Sequence, residues 1–95
     1  MNAVLMISER DNVATALEPI DAGRELRAGS WMVVAAEAIP RGHKVAVCAI
    51  RAGEAVVKYG SPIGTASTDI AAGAHVHTHN VASGRGRGDL ASESR

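Results

Sequence analysis

Three of the four histidines fall within one short segment, which reads His-Val-His-Thr-His-Asn at residues 75–80. Successive side chains of a β-strand point to opposite faces, so a strand here would place His75, His77 and His79 on the same face. Neutral imidazole binds divalent iron, manganese and zinc, and it transfers protons near neutral pH. The spacing therefore indicates a metal-binding or acid–base site. The alternative is a solvated strand face without chemistry.

The chain has two lysines, and each lies in a polar segment that could also contribute to a chemical site. In Gly-His-Lys at residues 42–44, the glycine suits a tight turn, and the strand that follows would carry His43 and Lys44 on opposite faces. Lys58, followed by Tyr59, is a candidate to neutralise a carboxylate. The alternatives are a polar turn exit for the first segment and an ordinary surface lysine for the second.

Composition excludes several classes of protein. The chain has 95 residues, enough for one domain, and its ten basic residues balance ten acidic ones, giving a net charge of +0. Nucleic acids and anionic membranes attract positive surfaces, so neither is an expected partner. Cys48 is the one cysteine, which rules out an internal disulfide, and its apolar neighbours predict a buried side chain. Without a signal-peptide or membrane-span pattern, we expect a cytoplasmic location.

A repeated turn predicts how these residues are positioned. The form Ile-x-x-Gly occurs four times, beginning at Ile20, Ile39, Ile50 and Ile70. Glycine adopts positive φ without steric cost and therefore ends tight turns, and short apolar segments follow each motif. Short strands separated by glycine turns predict a small all-β fold without a long helix. The predicted strands are residues 4–7, 31–35, 43–49, 55–59, 64–66 and 75–79, and residues 12–17 are either a strand or a helical turn.

The composition changes near the carboxyl end. Residues 82–95 are rich in Gly, Arg and Ser and offer little apolar surface. Such a segment cannot bury enough surface to become ordered by itself. We therefore expect one domain at residues 1–81 and a flexible tail at 82–95.

Four motifs, in order, resemble one protein family. Residues 11–17 read Asp-Asn-Val-Ala-Thr-Ala-Leu, residues 39–46 contain Ile-Pro-Arg-Gly-His-Lys, residues 57–64 contain Lys-Tyr-Gly, and residues 69–80 end in His-Val-His-Thr-His-Asn. Together they are similar to the amino-terminal SAF region of the altronate/galactarate dehydratases. The resemblance covers residues 11 to 80 and implies an all-β SAF-type fold, also called a β-clip.

The resemblance also implies an activity. Members of this family remove water from a hexonate or hexarate to give a 2-keto-3-deoxy acid, with Fe²⁺ or Mn²⁺ as the expected cofactor. This chain would be a small subunit or domain, inactive without a large dehydratase subunit, and self-association is left open. The implied catalytic residues are His43, Lys44, Lys58 and His79; the implied substrate-binding residues are Lys58, Tyr59 and Asn80; the implied metal ligands are His75, His77 and His79.

Two other functions remain open at this point. The small subunit of sulfolactate sulfo-lyase shares the Gly-His-Lys, Lys-Tyr-Gly and histidine motifs. A carbohydrate-binding SAF module without catalytic activity is the second, although a pure binding face has no need for three histidines.

Overall fold

The strands of this protein are short, as expected from the spacing of its glycine turns. The computed structural model describes residues 3–82. In chain order the strands are β1 (Val4–Leu5), β2 (Val13–Ala16), β3 (Glu25–Ala28), β4 (Trp31–Val34), β5 (Lys44–Ala46), β6 (Ala55–Lys58), β7 (Ser61–Ala66), β8 (His75–Val76) and β9 (Val81–Ala82). The described residues contain no α-helix, so the all-β prediction is confirmed. Within them, no helix has the length and apolar character needed to cross a membrane.

The strands form three antiparallel sheets. The central sheet has the order β1-β2-β5-β8, β3 and β4 form a hairpin, and β6, β7 and β9 form the third sheet. The turn between β6 and β7 is made by Tyr59 and Gly60, with φ of 57° and 74°. Positive φ at both central residues matches the twist of a two-residue hairpin.

The four Ile-x-x-Gly turns form two pairs. Ile20 bridges to Ile39, and Ile50 bridges to Ile70, in each case through two reciprocal backbone hydrogen bonds of 2.7–2.9 Å. All four isoleucines are at most 3% exposed. Burying an aliphatic side chain of this size contributes about 1.5–3 kcal/mol relative to leaving it in water. The glycines of the turns have φ of 85–90°, which confirms the turn prediction.

The second half of the chain repeats the plan of the first. In the first half, the Gly23 N–H donates to Ala35; in the second, the Gly53 N–H donates to Ala66, both at 2.7–2.8 Å. The later turns also correspond, since Gly42 donates to Ala16 and Gly73 donates to Ala46. Each half therefore consists of a turn, a hairpin, a second turn and a strand of the central sheet.

The central sheet is covered on both faces. One core packs against the β3–β4 hairpin and comprises Ala3, Val4, Ala14, Ala16, Ile20, Leu26, Ala28, Val33, Ala35, Ile39, Val45 and Val47. The other packs against β6 and β7 and comprises Val13, Ala46, Ile50, Val56, Ala66, Ile70 and Val76. Alternation along β5 explains the division, because Val45 faces the first core and Ala46 faces the second.

Two polar residues before β2 tie the sheets together. The buried carboxylate of Asp11 accepts hydrogen bonds from the N–H groups of Gly60, Ser8 and Ile7 at 2.8, 3.1 and 3.3 Å. Asn12 accepts from the Val57 N–H and donates to the Ala55 carbonyl. All of these bonds are to backbone groups, so both side chains have a structural role in the fold.

Several predicted strand boundaries are wrong. Residues 43–49 form a strand only over Lys44–Ala46, and residues 75–79 only over His75–Val76. The chain bends directly after each of these short strands. Cys48 therefore lies outside a strand and is partly buried against the first core; burial, reinforced by the charge of Glu54, raises the pKa of its thiol.

Other predicted strands are confirmed, and the prediction missed a strand and placed the start of the tail too early. Trp31–Val34 and Ala55–Lys58 match their predicted strands closely, and the ambiguous segment forms a strand over Val13–Ala16. The strand Glu25–Ala28 was missed. Ala82, assigned to the tail, pairs with Thr65 in β9, and the rest of the predicted tail, 83–95, lies outside the described residues.

Candidate active site

The pairing of β5 with β8 brings distant histidines together. The turn at Gly42 delivers His43 to the start of β5, and His75 opens β8, where it lies opposite Val45. His43 Nδ1 and His75 Nε2 are 2.8 Å apart. One nitrogen donates its N–H and the other accepts, so at least one of the two rings is neutral.

All four imidazoles belong to one cluster. The His43 ring stacks on those of His77 and His75, with centroids 4.0 and 5.0 Å away. The His79 ring lies 5.1 Å from that of His75 and is tilted against it. The histidines of residues 75–79 therefore form one cluster with His43 of the Gly-His-Lys turn.

A turn, and not a strand, arranges the last two histidines. β8 ends at Val76, and the chain then turns through residues 77–80. The turn is closed by Asn80, whose N–H donates to the His77 carbonyl at 3.2 Å. The sequence prediction grouped the three histidines by strand alternation, but of these only His75 lies in a strand. Tertiary contacts bring the rings together.

Asn80 is buried beneath this turn, with 6% of its surface exposed. Its Oδ1 accepts from the His77 N–H at 3.0 Å, and its Nδ2 donates to the His75 carbonyl at 2.8 Å. Both ends of the amide are thus bonded to the backbone of this chain. The predicted contact of Asn80 with substrate stays a prediction.

The environment favours neutral imidazoles at two positions. Burial, then the charges of His43 and His79, lower the pKa of His75, although Glu37 opposes this change. Loss of hydration and the nearby His43 and Lys44 lower the pKa of His77. Since an unshifted imidazole is already mostly neutral at pH 7, these rings have free nitrogen lone pairs there.

The two lysines lie close enough to influence each other. Burial, reinforced by the positive charge of Lys58, lowers the pKa of Lys44. The Lys58 ammonium lies 4.7 Å from the centre of the Tyr59 ring, and Tyr59 is 61% exposed. Two neighbouring cations with a cation–π contact form a suitable place for an anion.

A pocket connects one lysine to the histidines. It is lined by Lys44, Ile63, His77, Thr78 and Val81, and its volume is about 240 Å³. Enclosed ligand sites are usually about 300–1,000 Å³, so this pocket is small and open for a complete substrate site.

Three of the histidines also satisfy the basic requirements of a metal site. One ring nitrogen from each of His43, His75 and His77 lies within 4.8 Å of the others. These residues supply only nitrogen donors, a set that suits divalent iron, manganese or zinc and leaves coordination positions open. His43, predicted as catalytic, takes the place in this group that the sequence prediction gave to His79.

Glu37 is a neighbour of the site that sequence reasoning missed. Its Oε2 accepts from the His75 N–H at 3.0 Å, across 38 residues of chain. The residue lies among alanines just before the second Ile-x-x-Gly turn, and no local pattern distinguishes it from a surface glutamate.

The fold and the site define a small all-β domain with a histidine cluster next to an open pocket that Lys44 lines, and with Lys58 close to Lys44. The family model for the altronate/galactarate dehydratase SAF domain matches residues 2–84, and the chain belongs to this family. It is 42% identical over 81 residues to altronate dehydratase of Bacillus subtilis, and 46% identical over 77 residues to altronate dehydratase of Escherichia coli. These matches cover 85% and 81% of the chain.

A second kind of relative matches a shorter stretch. The chain is 55% identical over 42 residues to the alpha subunit of (2R)-sulfolactate sulfo-lyase of Paracoccus pantotrophus, covering 44% of the chain and 63% of that subunit. By contrast, the chain spans only 16% of the length of either altronate dehydratase. The relatives are therefore lyases in which this domain is one part of a larger protein or assembly.

Proposed function

We propose that this domain contributes the histidine cluster and the two lysines to a dehydratase that eliminates water from a hexonate or hexarate. The product would be a 2-keto-3-deoxy acid. The observation that carries the proposal is the convergence of His43, His75 and His77, of which His77 lines a pocket together with Lys44. The similarity to two altronate dehydratases over most of the chain supports the substrate class.

The imidazoles suit the proton transfers of such a reaction. Elimination requires a base that removes the proton next to the carboxylate and an acid that protonates the departing 3-hydroxyl. The lowered pKa values of His75 and His77 make them acceptors at neutral pH. His79, whose ring lies at the margin of the cluster, would act as the acid.

The lysines suit the charge that develops on the substrate. Removal of the proton spreads negative charge over the carboxylate, and a cation beside it lowers the barrier. Lys44 lines the pocket and Lys58 lies near it, so the pair would hold the carboxylate against the imidazoles. Tyr59, over which the Lys58 ammonium lies, would contact the sugar chain.

A divalent metal fits the same residues. His43, His75 and His77 would hold Fe²⁺ or Mn²⁺, and the metal would supply a Lewis acid for the carboxylate oxygens. An imidazole nitrogen that binds the metal cannot also accept a proton, so in the metal-bound form Lys44 and His79 would carry the protons of the substrate.

The domain would act together with a larger catalytic portion, in the cytoplasm. Its open pocket and its small share of the length of the altronate dehydratases both support this part of the proposal. We therefore expect the chain alone to be inactive.

The test is to assemble the chain with its large dehydratase portion and Fe²⁺ or Mn²⁺ and to measure keto-acid formation from altronate and galactarate. Replacing His75 or His77 with Gln should lower the rate by about 10²-fold or more. The control is Arg27→Gln on the exposed face of the β3–β4 hairpin, which should keep full activity. Normal turnover by both histidine variants would refute the proposed site.

Sulfolactate sulfo-lyase chemistry is the second candidate, favoured by the 55% identity over the matched segment. It too would begin by removing a proton next to a carboxylate, but sulfite would leave in place of water. Sulfite release from sulfolactate, with no keto acid formed from either sugar acid, would select this alternative. Binding of sugar acids without turnover by the assembled protein would select the non-catalytic binding module.

A further inference from the structure

Among the described residues, β8 is an outer strand of the central sheet, and part of the His75 backbone has no strand partner there. The Ala46 N–H donates to the Ala74 carbonyl, which fixes the hydrogen-bonding phase of the β5–β8 pair. Antiparallel pairs alternate, so His75 lies at a position whose N–H and C=O point away from β5. Unpaired edge groups of this kind normally bond to water or to another strand.

Two side chains bond these groups instead. The His75 N–H donates to Oε2 of Glu37 at 3.0 Å, and the His75 carbonyl accepts from Nδ2 of Asn80 at 2.8 Å. Oδ1 of Asn80 accepts from the His77 N–H at 3.0 Å, so one amide joins two histidines. The Asn80 carbonyl accepts from the Ser67 N–H at 3.0 Å, which anchors the turn to the third sheet.

We propose that Glu37 and Asn80 are positioning residues that fix His75 and His77 for metal binding; we call the two side chains the histidine clamp. This inference rests on the proposed function, because it assigns a purpose to the site described there. The clamp acts through the backbone: it sets where β8 ends and at which angle the turn leaves it. Those two features determine where the imidazoles meet His43.

Turn formation alone does not account for this arrangement. An Asn that closes a turn needs only the local bond to the N–H three residues before it, as to His77 here. The second bond to His75, and the bond from Glu37 on a distant segment, are not required by the turn. A strand of two residues has little stiffness of its own, and metal sites tolerate displacements of only about 0.5 Å.

The chain contains a matched control for each half of the clamp. Asn12, like Asn80, accepts from one backbone N–H and donates to one backbone carbonyl, but it holds β6 and not the histidines. Glu54, like Glu37, accepts a single backbone N–H, from Arg51, at 2.8 Å. The pairs to compare are therefore Asn80→Ala with Asn12→Ala, and Glu37→Ala with Glu54→Ala. Glu37→Gln keeps a carbonyl acceptor and serves as the rescue variant.

Two measurements on the full chain separate the clamp from the metal site. The first is affinity for Co²⁺, used as a spectroscopic probe of nitrogen ligands. Asn80→Ala should weaken it by about 10–100-fold, the usual effect of losing a group that supports metal ligands, and Glu37→Ala by somewhat less. Glu37→Gln and both controls should stay near the wild-type affinity. The second, without metal, is the set of ring-to-ring NMR contacts among His43, His75 and His77, which the clamp variants should weaken.

The outcomes are distinct. If the wild-type chain binds Co²⁺ and the clamp variants bind as well as their controls, the clamp is refuted. If the wild-type chain binds no Co²⁺, the proposed metal site fails, and the NMR contacts alone decide the clamp: unchanged contacts refute it, and lost contacts support it. If Asn80→Ala unfolds, Glu37→Ala against Glu37→Gln gives the answer, since an exposed glutamate is not needed for folding.

Discussion

His43 Nδ1 lies 2.8 Å from His75 Nε2, although 32 residues separate them in the chain. The contact exists because β5 and β8 are neighbours in the central sheet, with Val45 opposite His75. It joins the two histidine motifs of the sequence into one site, and its consequences can be measured.

The first prediction concerns which histidines bind metal. His43, His75 and His77 bring their ring nitrogens within 4.8 Å, whereas His79 only borders the group through His75. Replacing His43, His75 or His77 with Gln should weaken Co²⁺ binding by about 10²-fold or more, because a residue that binds the metal directly is lost. His79→Gln is the matched control and should change the affinity by less than about tenfold. If His79→Gln weakened Co²⁺ binding as much as the other three variants, His79 would be a metal ligand, as predicted from the sequence.

The second prediction concerns the lysines. Lys44→Gln and Lys58→Gln should each raise the KM for the sugar acid in the assembled enzyme by about tenfold. A hydrogen bond to a charged group contributes about 1.5–3 kcal/mol to binding. Because each variant keeps the other lysine, we expect the loss of binding free energy to lie at the lower end of this range. Arg27→Gln, on an exposed hairpin face, should leave KM unchanged. Unaltered KM in both lysine variants would remove them from the substrate site.

The third prediction concerns acid stability. Burial alone would raise the pKa of Asp11, but the hydrogen bonds from the N–H groups of Gly60, Ser8 and Ile7, with the Tyr59 N–H nearby, outweigh it and lower the pKa from its usual value. A carboxylate with a lowered folded-state pKa stabilises the fold fully above its unfolded pKa, about 3.9, and loses this contribution as pH falls through the folded value.

Asp11→Asn should therefore cost about 1–3 kcal/mol at pH 7, because the amide NH₂ faces backbone N–H groups. The free energy of unfolding of Asp11→Asn should also fall less than that of the wild-type chain as the pH is lowered from about 4 to 2, which is below the unfolded pKa. Urea unfolding across this range measures both effects. Asp21→Asn, at an exposed turn position, is the control. Parallel acid curves for Asp11→Asn and wild type would contradict the prediction.

The fourth prediction concerns the repeated turns. A Cβ atom added at Gly73 would clash with the carbonyl oxygen of Val34, whereas one added at Gly23 would meet nothing within 4 Å. Both glycines have φ near 90°, so alanine carries the same backbone cost of about 1–2 kcal/mol at either position. Gly73→Ala should therefore destabilise the protein clearly more than Gly23→Ala in urea unfolding. Equal losses would mean that the two halves are packed less closely than the structure shows.

The fifth prediction concerns activity in isolation. The purified chain should not form keto acid from altronate or galactarate, because its pocket is too open to exclude water from a substrate. Addition of the large dehydratase portion should restore activity, and the histidine variants should remain impaired after addition. Turnover by the chain alone would show that the described site is complete.

Local patterns made much of the fold predictable. Each Ile-x-x-Gly turn needs only an apolar anchor and a residue that tolerates positive φ, and both are visible in the sequence at Ile20 and Gly23 or at Ile70 and Gly73. The strand Glu25–Ala28 was missed because two of its four residues are charged, and its pairing with Trp31–Val34 supplies the stability that its composition does not indicate.

The sequence by itself determined the all-β class, the four turns, the family and the residue types of the site. The tertiary structure decided which histidines meet, because the register of β5 against β8 places His43 on His75 and a turn carries His77 onto both. It also decided that Glu37 joins the site, across 38 residues. Turns and strands depend on neighbours in the chain, whereas contacts between distant segments depend on how the two cores cover the central sheet, which no local pattern encodes.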